Sequence, residues 1–241
     1  VPADEVIHEL PMRWADLDSL NHVNNVVYVD YAVESRAMLI EDGFLPDRPI
    51  RRMTVRYVRP LLLSRHPVMI VSTVDGDVLT QEICVQRDGS RTVFAQVVTV
   101  LGDPQAFERH EPAGTPYPSR IRRSDLDLTG SVSATKVFEL LQESRVLLMT
   151  SGPSPIGPGR FVVGTVDITY VRPIAWRRQP YEIRSWLGRI GDSSLTIESE
   201  MSDGDTVLVR ATSVLVGFDL PNQRARTVTD EEKAHFVALI G

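Results

Sequence analysis

From Val26 to Ile40 the chain is apolar except at Asp30, Glu34, Ser35 and Arg36. Asp30 and Glu34 lie one helical turn apart and share a face. Most of the remaining circumference is apolar, the pattern of a buried helix rather than a surface one. Asn24 and Asn25 precede the run, and Asn is a favoured N-cap. Gly43 follows as a stop signal. A long central helix starting at Asn24 or Asn25 is therefore expected. Around it the period changes to two. EVIHELPMR (5–13) alternates weakly, and RMTVRYVRP (52–60) alternates and ends at Pro60. Three β-branched, apolar segments follow, HPVMIVSTVDGD, LTQEICVQRDGS and TVFAQVVTVLGD. Asp75-Gly76-Asp77 and Asp88-Gly89-Ser90 separate them as hairpin turns. The first half reads as a strand, a helix, then four antiparallel strands.

The pattern then starts again. RRSDLDLTGSVSATKVFELLQESR (122–145) aligns without a gap on the stretch from Arg13 to Arg36. Asp125 falls on Asp16, Asp127 on Asp18, Ser133 on Asn24, and Glu143-Ser144-Arg145 on Glu34-Ser35-Arg36, all at an offset of 109 (125 − 16). Tyr57-Val58-Arg59-Pro60 recurs as Tyr170-Val171-Arg172-Pro173 at an offset of 113 (170 − 57). The loop SGPSPIGPG (151–159) takes up the difference. Strand-like segments follow once more, with Asp203-Gly204 near the place of Asp88-Gly89. A short helix from Thr229 to Leu239 closes the chain, opened by the Thr-x-x-Glu spacing of a capping box. The proline-rich stretch between the copies has no periodicity and reads as a linker. The expected organisation is 1–103, a first unit; 104–118, the linker; and 119–241, a second unit with the terminal helix. Such copies are expected to pack as an intrachain pseudo-dimer, as homodimers share one patch. Further homo-oligomerisation stays open.

Composition narrows the function. The net charge of −6 argues against a broad nucleic-acid face, though not against a local basic patch. One cysteine, Cys84, allows no intrachain disulfide and no cysteine metal cluster. It suggests a reducing, cytoplasmic setting. His8, His66, His110 and His235 show no ligand spacing, so no metal is expected. No apolar run approaches the ~18 residues of a membrane span.

The chemistry concentrates just before the first helix. Asp16, Asp18, His22, Asn24 and Asn25 fall within ten residues. A carboxylate and an imidazole thus precede a helix N-terminus, whose free N–H groups and dipole favour a polarised carbonyl oxygen or an anion. Asn24 is the expected cap, since Ser133 replaces it in the second copy. Asp16, shared with Asp125, reads as structural. Asp18 is either a loop former or the functional carboxylate. His22 either orients Asp18 or the substrate or fills a polar gap. Tyr28 reads as packing or as a substrate contact.

The string Asp18-x-x-x-His22-Val23-Asn24-Asn25-x-x-Tyr28 resembles the acyl-CoA thioesterases related to 4-hydroxybenzoyl-CoA thioesterase. It also resembles the plant-type acyl-ACP thioesterases, which carry two hotdog units in one chain. The order is reversed here, with the motif-bearing unit first. The resemblance implies an α+β tandem (double) hotdog, two antiparallel sheets each wrapped around a long central helix. It implies a thioester hydrolase acting on acyl-CoA or acyl carrier protein. Coenzyme A or the carrier's phosphopantetheine would be part of the substrate, with no separate cofactor. By position it places the catalytic carboxylate on Asp18, as base or nucleophile, and the oxyanion-polarising amide on Asn25, with His22 and Asn24 alongside. Arg56, Arg59 and Arg172 are candidates for phosphate contacts, or for ion pairs within the sheet. Plant-type enzymes have an Asn two residues after the Asp and a Glu ending the next strand. Leu20 and Pro60 stand there, which favours the bacterial mechanism of carboxylate plus helix terminus. The second copy has Ser131 for His22 and Ala134 for Asn25, so only the first is expected to work, with the second supplying an opposite wall. Two alternatives remain: a catalytically silent acyl-thioester-binding module, and a hotdog hydratase or dehydratase. The latter has a proline between its Asp and His that Asp18–His22 lacks.

Overall fold

The computed structural model describes residues 5–18, 20–104, 114, 116–150, 156–157, 159–222 and 224–238. The chain divides into two compact units, Val1–Pro104 and Gln105–Gly241.

In the first unit, β1 (Val6–Leu10), β2 (Ile50–Tyr57), β3 (Val68–Asp75), β4 (Val78–Arg87) and β5 (Ser90–Leu101) form one antiparallel sheet. Its order is β1-β3-β4-β5-β2. β1 stops before Pro11, whose missing N–H cannot continue a ladder. Tight two-residue turns close the hairpins: Gly76-Asp77 between Asp75 and Val78, and Asp88-Gly89 between Arg87 and Ser90. Asp88 (φ +48°) and Gly89 (φ +77°) are both left-handed, as a type I′ turn requires.

Helix α1 (Asn25–Glu41) crosses one face of this sheet. Val26, Tyr28, Val29, Tyr31, Ala32, Ser35 and Leu39 are buried. Near its C-terminal end Leu39 packs with Leu45, Leu79 and Leu101. Asp30, Glu34, Ala37 and Glu41 form a solvent-facing stripe, so the helix is not enclosed on every side. Its end is a Schellman motif: the Gly43 N–H donates to the Ile40 carbonyl (3.1 Å) and the Phe44 N–H to the Leu39 carbonyl (2.9 Å). Gly43 supplies the required left-handed backbone at φ +77°. A buried polar stripe runs beneath the helix. The Ser35 hydroxyl lies 3.0 Å from His8 Nδ1 and 3.3 Å from the Ser72 hydroxyl, and Gln81 donates to the Ala32 carbonyl.

The second unit repeats this plan. It contains β6 (Pro116–Ser119), α2 (Ala134–Thr150), β7 (Phe161–Tyr170), β8 (Tyr181–Ile190), β9 (Ser194–Asp203) and β10 (Thr206–Asp219). The sheet order is β6-β8-β9-β10-β7, the order of the first unit strand for strand. The serine contact recurs as Ser144, Ser185 and Ser199, with oxygens 2.9 and 2.8 Å apart. Short β11 (Arg224–Ala225) pairs with β10, and helix α3 (Asp230–Ala238) packs Phe236 against Leu195, Ile197, Leu215 and Val228. Thr229 caps α3 as its spacing predicts: the Glu232 N–H donates to its hydroxyl (3.2 Å), and the Thr229 N–H to the Glu232 carboxylate (2.9 Å). Leu239 lies outside the described residues, as do most of the loop 151–159 and residues 105–113 of the expected linker.

The linker reading over 104–118 needs correction at its end. Pro116–Ser119 is a strand, paired with Tyr181–Arg184 of β8. Pro116 and Pro118 are compatible with it because β6 is an edge strand. Among the described residues, no helix is long and apolar enough to cross a membrane.

Candidate functional site

The segment entering α1 folds on itself before the helix begins. A single 3-10 turn, Trp14–Asp16, leads in. The Asp16 carboxylate is buried and accepts from the Arg13 N–H and the Tyr31 hydroxyl, both at 2.7 Å. Its carbonyl accepts the Asn24 N–H at 2.8 Å, which closes the loop at the helix start. Asp16 is thus a structural anchor, as its repetition at Asp125 suggested. Burial and the contact with Asp16 raise the Tyr31 phenol well above its ordinary pKa, so it stays a donor.

Inside this loop lies a smaller one, from Asp18 to His22. The Asp18 N–H donates to the His22 carbonyl (2.8 Å) and the Asn21 N–H to the Asp18 carbonyl (3.1 Å). Asp18 Oδ1 accepts the N–H groups of Leu20 (2.8 Å) and His22 (3.1 Å). Asn21 sits at φ +58°, a conformation Asn tolerates better than most residues. The Asp18 carboxylate, half-buried, is therefore fixed by one oxygen, while Oδ2 makes no hydrogen bond among the described residues.

The loop is hooked to the chain beyond β2. The Val23 N–H donates to the Leu61 carbonyl (2.8 Å), and His22 and Leu62 form a bridge. The Leu61 N–H donates to the Tyr28 hydroxyl (3.0 Å). His22 is placed here by its backbone; its imidazole hydrogen-bonds to nothing among the described residues.

Asn24 is the N-cap, its side-chain oxygen accepting the Val26 N–H at 3.0 Å. Replacing Asn24 by Ala should cost about 1 kcal/mol of stability in a urea titration. Asn24→Ser should restore most of it, since the Ser133 hydroxyl accepts the Lys136 N–H (3.3 Å) in the other copy. The Asn25 N–H, at the first helical position, has no partner among the described residues. The Asn25 carbonyl accepts the Tyr57 hydroxyl (2.8 Å), and the Tyr57 ring packs edge-on against Tyr28 with centroids 5.4 Å apart.

Tyr28 is only 2% exposed and its hydroxyl accepts the Leu61 N–H, the contacts of the packing reading. Burial pushes its phenol up to about 12; the Leu61 N–H opposes this and the Asp18 charge adds to it. Arg56 and Arg59 are exposed and make no side-chain hydrogen bond to the loop among the described residues. Two supports escape a reading of the sequence, the Tyr31–Asp16 and Tyr57–Asn25 contacts. The recurrence of Tyr57 at Tyr170 was the signal available for the second.

The second copy has the same loop around a different surface. Asp127 Oδ1 accepts from the Thr129 N–H (2.8 Å), the Thr129 hydroxyl (2.6 Å) and the Ser131 N–H (3.3 Å). Gly130 (φ +82°) stands in for Asn21. Asp127 is exposed where Asp18 is half-buried, and Val137 replaces Tyr28. The carboxylate at this position builds the loop in both copies. Only in the first is it followed by His22, Asn24 and Asn25 and by a helix start whose first carbonyl accepts a tyrosine hydroxyl.

Residues 2–90 match the family model for the acyl-ACP thioesterase C-terminal domain. That domain thus lies on the first unit of this chain. No curated sequence matches the chain. Among solved structures, a putative oleoyl thioesterase from Lactobacillus plantarum is similar over 90% of this chain and 98% of its own, at 13% identity and a TM-score of 0.66. The 12:0-ACP thioesterase from Umbellularia californica is similar over 92% and 94%, at 11% identity and a TM-score of 0.64. An acyl-ACP thioesterase from Bacteroides thetaiotaomicron covers 88% and 97%, at 12% identity and a TM-score of 0.57. At such identities these likenesses concern the fold. The family match thus covers residues 2–90 alone, and the likeness to the solved structures, which spans both units, is one of fold.

Proposed function

We propose that the chain is a tandem hotdog thioesterase that hydrolyses an acyl thioester, carried on coenzyme A or acyl carrier protein, to a free acid and a thiol. The observation that carries the reading is a carboxylate with one oxygen immobilised and the other, among the described residues, uncommitted, set on the loop that ends at a helix N–H without a partner among the same residues. The thioester carbonyl oxygen lies at the Asn25 N–H, where the helix terminus stabilises the oxyanion; such a donor is commonly worth about 10²–10³ in rate. Asp18 Oδ2 takes a proton from water as the water oxygen bonds to the carbonyl carbon. The tetrahedral intermediate collapses, the C–S bond breaks, and the thiolate takes up the proton. In the variant route, Oδ2 attacks the carbonyl carbon itself, and water then hydrolyses the mixed anhydride. Either way the leaving thiolate is stable enough to need no strong acid. The Tyr57 hydroxyl on the Asn25 carbonyl and the Tyr28 hydroxyl on Leu61 hold the two sides of this arrangement.

The direct test is spectrophotometric detection of free thiol from acyl-CoA and acyl carrier protein substrates of graded chain length. Saturable, enzyme-dependent release is expected. Tight binding of these thioesters without release would replace the hydrolase by a binding module.

A further inference from the structure

Beside the candidate loop the first unit has a cleft of about 200 Å³, formed by Pro60, Leu61, Leu62, Val85, Thr92 and Phe94, with Arg87 among its walls. We propose that this cleft takes the phosphopantetheine arm of the thioester and that Arg87 binds the arm's phosphate; this rests on the thioester reading above.

Three observations converge on it. The first is continuity with the site. Leu61 bonds both Val23 and Tyr28, and Leu62 bridges His22, so one short segment is a wall of the cleft and the backing of the Asp18–His22 loop. A thioester reacting at Asp18 can thus lay the rest of its length along residues 60–62.

The second is the chemistry of the walls. Apolar side chains dominate, and Leu62 keeps 55% of its surface open to solvent. A hydrocarbon tail is best served by an enclosed slot and has no use for a guanidinium. A pantetheine arm differs: its branched dimethyl carbon suits the apolar floor, its amides need access to water, and its end is a phosphate.

The third is the cation. Val85 pairs with Thr92 and Arg87 with Ser90, so Arg87 follows Val85 on the same face of the hairpin. Its guanidinium is exposed and joins no ion pair among the described residues. The carboxylates nearby are committed or turned away. Glu82 accepts from Gln96, Glu5 pairs with Arg91, and Asp88 lies in the hairpin turn. A planar guanidinium left free at the end of an apolar cleft is suited to bidentate capture of a phosphate. Arg59 does not line the cleft; its N–H is on the Phe94 carbonyl, four residues along β5 from Ser90, the partner of Arg87.

The test compares Arg87→Ala and Arg87→Lys with the wild type on one acyl group carried by coenzyme A, by 4′-phosphopantetheine and by pantetheine without the phosphate. For Arg87→Ala the KM on both phosphorylated carriers should rise about 10–100-fold with kcat kept, the size of a lost charge-assisted contact. The KM on acyl-pantetheine should stay unchanged, and Lys should restore part of the loss. Equal changes on all three carriers, or none on any, would overturn the assignment. So would a change confined to coenzyme A, because the adenosine end would then be the group bound. If the wild type releases thiol from none of the carriers, the thioesterase reading itself fails; release that ignores Arg87 removes this inference alone.

Discussion

Replacing Asp18 by Asn is expected to lower the rate of thiol release by about 10²–10⁴, the usual worth of a positioned base, with no shift in the unfolding midpoint. The two halves of that expectation come from different oxygens. Oδ1 accepts the Leu20 and His22 N–H groups and so builds the loop. An Asn side-chain oxygen accepts the same two bonds, and the loop survives. In the proposed mechanism Oδ2 is the reacting atom, and an amide nitrogen there can neither take a proton from water nor attack a carbonyl. Asp18→Ala removes both contributions and should lose stability as well as rate, since two partly buried N–H groups lose their acceptor. Asp127→Asn supplies the internal control. Asp127 makes the same loop contacts, but in a copy with Ser131 and Ala134 in place of His22 and Asn25. Turnover should not respond to it. If Asp18→Asn and Asp127→Asn both left turnover unchanged, the carboxylate would be a loop former in both copies and the reaction would have to be sought elsewhere.

The same pair of aspartates shows what the sequence reveals and what it hides. The duplication is legible because it rests on local spacing: 3-10 turn, loop, cap and helix recur at one offset, and the strands that follow pair in the same order. Asn24 as cap and Thr229-x-x-Glu232 as capping box are short-range devices and read correctly. The strand at Pro116–Ser119 escapes because prolines mask it, and only its place at a sheet edge makes them tolerable. The supports of the site join residues far apart in the chain, Tyr31 to Asp16, Tyr57 to Asn25 and Leu61 to Tyr28. No periodicity encodes such contacts; the fold must form first. Arg87 is hidden for the same reason. It reaches residues 60–62 only because β5 lies between β4 and β2 in the sheet. The aspartate itself was ambiguous in a useful way. The sequence leaves Asp18 as loop former or functional carboxylate, and its Oδ1 contacts fulfil the first duty without displacing the second.

Replacing Glu232 by Ala should destabilise the second unit by about 3 kcal/mol, near the low end for breaking a buried ion pair. Glu232 is fully buried and accepts from Arg160 Nε (2.7 Å), both terminal nitrogens of Arg226 (2.8 Å each) and the Thr229 N–H (2.9 Å). One side chain thus joins the loop before β7, the segment after β11 and the start of α3. The low end applies because Arg160 is 42% and Arg226 20% exposed, so both cations can turn to water once the carboxylate is gone. Loss of the capping box adds to the cost. Glu232→Gln keeps the shape and one acceptor and should fall between the two. The pH dependence gives an independent check. Burial alone would raise the Glu232 pKa, but the bonds from Arg226, Thr229 and Arg160 outweigh it and hold it at about 2, below the ordinary 4.5. A carboxylate with a lowered pKa contributes stability that is complete above its unfolded pKa and is lost as the pH falls through the folded one. In denaturant titrations the gap between wild type and Glu232→Ala should therefore be constant from neutral pH down to about 5, then narrow steadily below 4.5. A gap that stays constant to pH 3 would mean that packing of α3, rather than charge, carries the contribution of Glu232.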